Sequence, residues 1–263
     1  MLLAIDAGNT NVVFAIYEGE TPRGRWRIST DSRRTSDEYA VWLTSAMALK
    51  GLTAQDVNAA ILSSVVPAAT PDLIRLCKDH FGCVPMRIGD PAVDLGIEIR
   101  IDNPREAGAD RLVNAVAATE RYPSPLVVLD IGTGTTFDVV DADGAFAGGI
   151  IAPGPTLSLD ALHRVAAQLP KVDIAKPDSV IGRGTVGAMQ SGMYWGYTAM
   201  IEGLLRRIKA ELSPTGTPPV TVIGTGGMVR VFAEETGMVD HIDSDLTLRG
   251  LLLIYRRNAK SGA

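Results

Sequence analysis

Cysteine is nearly missing from this chain: Cys77 and Cys83 are the only two among 263 residues. Their spacing matches neither a zinc-ligand pattern nor a CxxC redox pair, so both are expected as reduced, mostly buried thiols of a cytoplasmic protein. Long apolar runs are missing too. None approaches the roughly 20 residues that cross a bilayer, and no basic leader with a cleavage site precedes the first strand, so neither a membrane anchor nor a signal peptide is expected. Clustered positive charge is scarce. The formal net charge is −5 and no basic run exceeds Arg33-Arg34, Arg206-Arg207 or Arg256-Arg257, which argues against a nucleic-acid surface. Finally, neither GxxxxGK[ST] nor GxGxxG follows the apolar strands that begin at Leu2 and at Val127, which sets aside a Walker loop and a dinucleotide fingerprint there.

What is present is a soluble globular composition, with 46% hydrophobic and 21% charged residues, and an internal repeat. LLAIDAGNTNVVFAIYEGE at 2–20 and VVLDIGTGTTFDVVDADG at 127–144 each run from an apolar strand into Asp, a small residue, Gly and hydroxyl or amide side chains, then into a second strand. One copy alone reads equally well as an ordinary hairpin with an Asx-type turn. Two copies favour a duplicated nucleotide cradle. Gly8, Gly132 and Gly134 let backbone N–H groups approach an anion, and Asn9, Thr10, Thr133 and Thr135 add donors. Asp6 and Asp130 repel phosphate, so a carboxylate at that position calls for a cation in between.

The repeat spacing divides the length into two domains, 1–122 and 123–263, with Pro123 and Pro125 at the boundary. In the first, a turn is expected at 21–24 and a returning strand at 25–29. Thr35 and Glu38 stand at capping-box spacing before a helix whose apolar face holds Tyr39, Trp42, Leu43 and Met47. A buried strand follows at 59–67, then a helix from Pro71 to about Gly82. Asn103, Pro104 and Glu106 mark a helix start, and that helix is expected to run to about Arg121 with Gly108 inside it. Because glycine costs about 1 kcal/mol in a helix, Gly108 signals either close approach of a ligand or tight helix packing. Asp110 and Arg111 point in different directions, and solvated helix charges are the plain alternative.

In the second domain a hairpin turns at 141–144, and GGIIAPGP at 148–155 suits a loop that lays backbone against a ligand or another strand. Helices are expected at 156–167, 185–212 and 245–257, and a strand at 220–224 that leads into Thr225-Gly226-Gly227. Met189, Met193, Tyr197, Ile201, Leu204, Leu205 and Ile208 form a stripe along the longest helix. Core packing and a subunit interface explain that stripe equally. Arg256, Arg257 and Lys260 suit the end of the last helix, where the dipole favours cations.

Five segments in order, DAGNTN at 6–11, NPREAGADR at 103–111, DIGTGTT at 130–136, GGIIAPG at 148–154 and TVGAMQSGMYWGY at 185–197, resemble the motif set of the type III pantothenate kinases. The resemblance covers almost the whole chain. It implies an α/β fold of duplicated actin-like (ribonuclease H-like) ATPase domains, each a mixed sheet flanked by helices. It also implies ATP-dependent phosphorylation of pantothenate to 4'-phosphopantothenate, the first step of coenzyme A biosynthesis. By the same resemblance, Asp6, Ala7, Gly8, Asn9, Thr10, Asn11, Val12 and Val13 hold ATP, with Thr133 contacting it. Gly108, Ala109, Asp110, Arg111 and Thr185 line the pantothenate site, and Asp110 is the proton acceptor. Asp6 is the candidate for Mg2+ or a similar divalent ion, and Asp130 for a monovalent cation, K+ or NH4+. A cytoplasmic homodimer with the site at its interface is implied as well. Two positions depart from the family pattern, Ile101 where tyrosine is common and Gly184 where asparagine is usual. The competing readings are a kinase of the same fold with another small hydroxyl substrate, and a nucleotide-binding regulator without turnover.

Overall fold

A computed structural model describes residues 1–165 and 169–261, with side chains to 259. It divides into two compact units, Met1–Ile97 with Asn103–Ala117 and the segment from Leu246, and Glu98–Asp102 with Ala118–Asp245. Set beside the expected cut between 122 and 123, the first unit also takes in the C-terminal helix.

The first unit opens with β1 (Leu2–Ala7), β2 (Asn11–Glu18) and β3 (Thr21–Ser29), an antiparallel meander. The turn lies at Gly19-Glu20, ahead of the expected 21–24, because Gly19 takes the left-handed conformation at φ +61°. α1 (Ser36–Ala48) starts at the expected capping box: the Glu38 amide donates to Thr35 Oγ1 at 3.3 Å and the Thr35 amide donates to Glu38 Oε2 at 2.8 Å. Then β4 (Ala59–Ser64) and the two-residue β5 (Met86–Arg87) add to the sheet in parallel. Between them α2 (Thr70–Arg75) widens over Leu76–His80 into a π-type turn. The strand order is β3-β2-β1-β4-β5.

β1 is buried along nearly its whole length because it is central and covered on both faces. On one face Leu3, Ile5, Phe14 and Ile16 pack with Tyr39, Leu43 and Met47 of α1 and with Leu73 and Cys77. On the other, Leu2, Ala4 and Ala15 pack with Leu248, Leu251, Leu252 and Ile254 of the last helix. Cys77 is buried and desolvation pushes its thiol up to about 12, which keeps it protonated.

The second unit repeats the order. α3 (Ala109–Arg121), whose residues to Ala117 belong to the first unit, leads to β6 (Leu126–Ile131), β7 (Gly134–Val140) and β8 (Phe146–Pro153), an antiparallel meander whose second turn is closed by the Asp141 carboxylate accepting from the Asp143 and Ala145 amides. α4 (Pro155–Val165) and the 28-residue α5 (Thr185–Leu212) follow. The expected end of α4 at Ala167 lies outside the described residues. β9 (Thr221–Thr225), α6 (Val229–Thr236) and β10 (His241–Ile242) complete the order β10-β9-β6-β7-β8. The α5 stripe is core: Met189, Met193, Tyr197, Ile201, Leu205 and Ile208 pack with Val127, Leu129, Phe137 and Phe232.

α7 (Leu246–Ser261) is the last element among the described residues, with Arg256 paired to Glu20 and Arg257 to Asp94. Lys260 lies outside the residues with described side chains. No helix among the described residues is long and apolar enough to cross a membrane.

Candidate active site

The first cradle is the turn between β1 and β2. Gly8 N–H donates to the Asn11 carbonyl at 3.0 Å, and Val65 N–H donates to the Ala7 carbonyl at 3.0 Å. Thr30, one residue beyond β3, ties the loop twice: its amide donates to the Thr10 carbonyl at 2.9 Å and its hydroxyl to the Gly8 carbonyl at 2.6 Å. With three carbonyls of the loop and that of Ala7 engaged in this way, the exposed tip at Asn9 and Thr10 offers an anion donors in preference to acceptors. Ala7 and Val12 are buried in the first core, so their share in a ligand contact is backbone. Asp6 sits half-buried at the end of β1, in register with Ser63 of β4. The Ser63 hydroxyl is buried and has no hydrogen-bond partner among the described residues. An orphaned hydroxyl beside a carboxylate suits an oxygen-liganded divalent cation.

The second cradle is the turn between β6 and β7, held by backbone lying on backbone. Gly132 N–H donates to the Gly134 carbonyl at 2.8 Å, Gly154 N–H to Thr133 at 3.0 Å and Met228 N–H to Ile131 at 3.0 Å. A Cβ at Gly154 would stand 2.3 Å from the Gly132 and Thr133 carbonyl oxygens. A Cβ at Gly226, whose φ is +89°, would stand 2.3 Å from Asp130 Oδ1 and 2.6 Å from the Ile131 carbonyl. The GGIIAPGP and TGG segments thus lie against this loop and its aspartate. Tyr197 of α5 steadies the junction, its hydroxyl donating to the Pro153 carbonyl at 3.0 Å and bonding Ser158 Oγ at 2.6 Å. Asp130 is half-buried and in register with the buried Thr225, as Asp6 is with Ser63. Thr133 is exposed at the tip.

Among the described residues no group of three or more His, Cys, Asp or Glu side chains could hold a metal. A cation at either aspartate would then have at most two carboxylates and would complete its shell with hydroxyl, carbonyl, water or phosphate oxygens. That regime suits Mg2+ or a monovalent ion rather than zinc.

The GADR segment differs from its expected geometry. Asn103 caps only a short 3-10 turn, Pro104–Glu106, accepting from the Arg105 amide at 3.3 Å. Ala107 is then extended, at ψ 120°, and α3 begins at Ala109. Gly108 precedes the α-helix instead of lying inside it, and its carbonyl accepts the first helical bond, from Leu112 N–H at 3.2 Å. Its reason is Asp110, whose Oδ1 stands 2.8 Å from where a Gly108 Cβ would be. That oxygen accepts from Arg111 N–H at 2.8 Å, so the carboxylate folds back over the positive end of α3. Asp110 and Arg111 are half-buried, not freely solvated.

Thr185 is the exposed first residue of α5. Gly184 before it is extended and, being glycine, supplies no side-chain cap. Ile101 packs over the start of β8, 3.4 Å from the position of a Gly148 Cβ. Each unit thus brings together its own part of the expected set: residues 6–13 and 108–111 belong to the first, Asp130, Thr133 and Thr185 to the second. Sequence reasoning missed Thr30, Ser63 and the locking role of Gly154 and Gly226. The pair of serines ending the buried run AAILSS was the available signal; Thr30 carried none.

The model of the type III pantothenate kinase family matches residues 2–207. The chain belongs to that family. A type III pantothenate kinase of Rhodospirillum centenum is 76% identical over 98% of this chain and 99% of the relative. Among solved structures, a Campylobacter jejuni protein named for the Baf family of transcriptional activators superposes with a TM-score of 0.62 at 17% identity, over 98% of this chain and 99% of that one. The activator of 2-hydroxyisocaproyl-CoA dehydratase from Clostridium difficile gives 0.54 at 13% identity, over 99% and 96%. At such identities the likeness is one of fold, and the fold is the duplicated actin-like architecture expected for a type III pantothenate kinase.

Proposed function

We propose that this enzyme transfers the terminal phosphoryl group of ATP to the primary hydroxyl of pantothenate, yielding 4'-phosphopantothenate and ADP in coenzyme A biosynthesis. Family membership across most of the chain carries the reading, and the doubled Asp–Gly cradle supports it. Residues 6 to 13 and Thr133 hold the nucleotide. Gly108, Ala109, Asp110, Arg111 and Thr185 receive pantothenate, with Arg111 offering its carboxylate a charge-assisted bond. The acceptor oxygen attacks the γ phosphorus, the bond to the β–γ bridging oxygen breaks, and the hydroxyl proton passes to Asp110. A carboxylate is a weak base towards an alcohol, so Asp110 orients the hydroxyl and accepts its proton as transfer proceeds. Phosphoryl transfer asks the protein chiefly for positioning and charge neutralisation. A divalent cation near Asp6 supplies part of that charge when bound, and a K+ or NH4+ ion would be held at Asp130.

The reading extends to a cytoplasmic homodimer whose interface carries the site. Exposed apolar residues of the second unit support it: Ile151 of β8, Leu157, Leu162 and Val165 of α4, Val180, Ile181, and Val186 of α5. Val165 and Ile181 are 87% and 81% exposed, an arrangement that a second copy would cover. The deciding experiment is coupled ADP release with ATP and Mg2+, with and without pantothenate, in potassium and then in sodium buffer. Release that needs both pantothenate and potassium is the expected result; none with pantothenate in either buffer, while ATP still binds, would remove the acceptor. Asp110→Asn is expected to lower kcat by about 10²- to 10⁴-fold with ATP affinity nearly unchanged.

A further inference from the structure

We infer that Arg27, an arginine of the edge strand β3, contacts the β and γ phosphates of the nucleotide held at the first cradle. The argument begins with register. Asp6 pairs with Val13 of β2 and Val13 with Arg27 of β3, while Asp6 pairs with Ser63 of β4 on its other side. Residues aligned across a sheet share a face, so Ser63, Asp6, Val13 and Arg27 form one row on one side of the sheet. The alternate residues Trp26 and Ile28 pack against the opposite core, which fixes Arg27 on the Asp6 side.

Two interstrand spacings, about 10 Å, separate Arg27 from Asp6 along this row. A guanidinium on a long side chain and a carboxylate facing it leave room for a phosphate with its cation between them. The row also lies beside the loop, since β3 ends at Ser29 opposite Asn11 and Thr30 then bonds Gly8 and Thr10.

Charged residues on an edge strand also discourage pairing with other chains. Arg23 meets that need and is already joined to Glu18. Arg27 is exposed, with no carboxylate partner among the described residues, and stands in the row of the cradle's own aspartate. In a chain of net charge −5, a fixed cation at this place lowers the cost of bringing a triphosphate to Asp6. Arginine suits the task because its planar donors engage phosphate oxygens in pairs.

The inference rests on the ATP-dependent kinase reading and is tested in a way that separates the two. Binding of MgATP and of AMP is measured by calorimetry, and KM for ATP and pantothenate by coupled ADP release, for the wild-type chain, Arg27→Ala, Arg27→Lys and the control Arg23→Gln. Arg27→Ala is expected to weaken MgATP by roughly 10- to 100-fold, to leave AMP and the pantothenate KM within about twofold, and to keep the wild-type melting temperature. Arg27→Lys should recover part of the loss, and Arg23→Gln should match the wild type. Unchanged MgATP affinity in Arg27→Ala overturns the inference, as does an equal loss for AMP or an effect confined to pantothenate. A wild-type chain that neither binds MgATP nor releases ADP overturns the kinase reading itself.

Discussion

The two cradles descend from one strand order and are held together by different means. β1-β2-β3-β4-β5 and β6-β7-β8-β9-β10 match strand for strand, and Asp6 beside Ser63 is matched by Asp130 beside Thr225. Between the last paired residues, Ala7 with Val12 and Ile131 with Thr135, the first loop has four residues (8–11) and the second three (132–134). The longer loop is tethered by the amide and hydroxyl of one distant residue, Thr30. The shorter one is locked by two glycines, Gly154 and Gly226, lying on its carbonyls and on Asp130. A tethered loop can adjust to a phosphate that arrives and leaves, whereas a locked one keeps a carboxylate in place. That division suits nucleotide capture at the first cradle and a standing cation site at the second.

The comparison breaks first, and most heavily, at the aspartates. Asp6→Asn is expected to reduce kcat/KM for ATP by about 10²- to 10³-fold and to raise the Mg2+ required, on the scale of removing one preorganised electrostatic partner. Asp130→Asn should instead weaken the dependence on potassium. Identical metal titrations for the two variants would erase the distinction.

Next come the locks. Gly226→Ala forces a Cβ both into positive φ and onto Asp130, and should cost about 2–5 kcal/mol in a urea melt. Gly154→Ala meets two carbonyl oxygens without the backbone strain and should cost about 1–3 kcal/mol. By contrast Gly8 has room, since its Cβ would lie 3.4 Å from the nearest atom, the Asn11 carbonyl oxygen. Gly8→Ala should cost less than about 1 kcal/mol, and a value equal to that of Gly226→Ala would show both loops to be locked. The smallest effect is at the tether: Thr30→Val removes one hydroxyl bond, about 0.5–1.5 kcal/mol, and should raise the KM for ATP more than it lowers stability.

Local rules made much of this legible. The capping box at Thr35 and Glu38 and the turn at 141–144 follow from side-chain chemistry within a few residues, and the bounds of α5 from its apolar periodicity; the structure has them where the spacing placed them. Gly108 was misplaced because Asn-Pro-x-Glu signals a helix start without saying that the first turn would be 3-10 and would break at Ala107. The turn at Gly19-Glu20 was missed because Thr-Pro-Arg-Gly is as good a turn by composition. The α5 stripe left core and interface open, since an apolar face does not name its partner; Phe232 and the β6 and β7 side chains supply it.

By itself, then, the sequence determined the duplicated cradle, the aspartates and their donors, the helix caps and, through five ordered motifs, the family. These depend on residue type and short spacing. Tertiary structure decided which residues stand across the sheet from Asp6, why Gly154 and Gly226 tolerate no side chain, and that the last helix returns to the first sheet. Such relations join residues far apart in the chain. Only the pairing of strands and the burial of apolar faces bring them together.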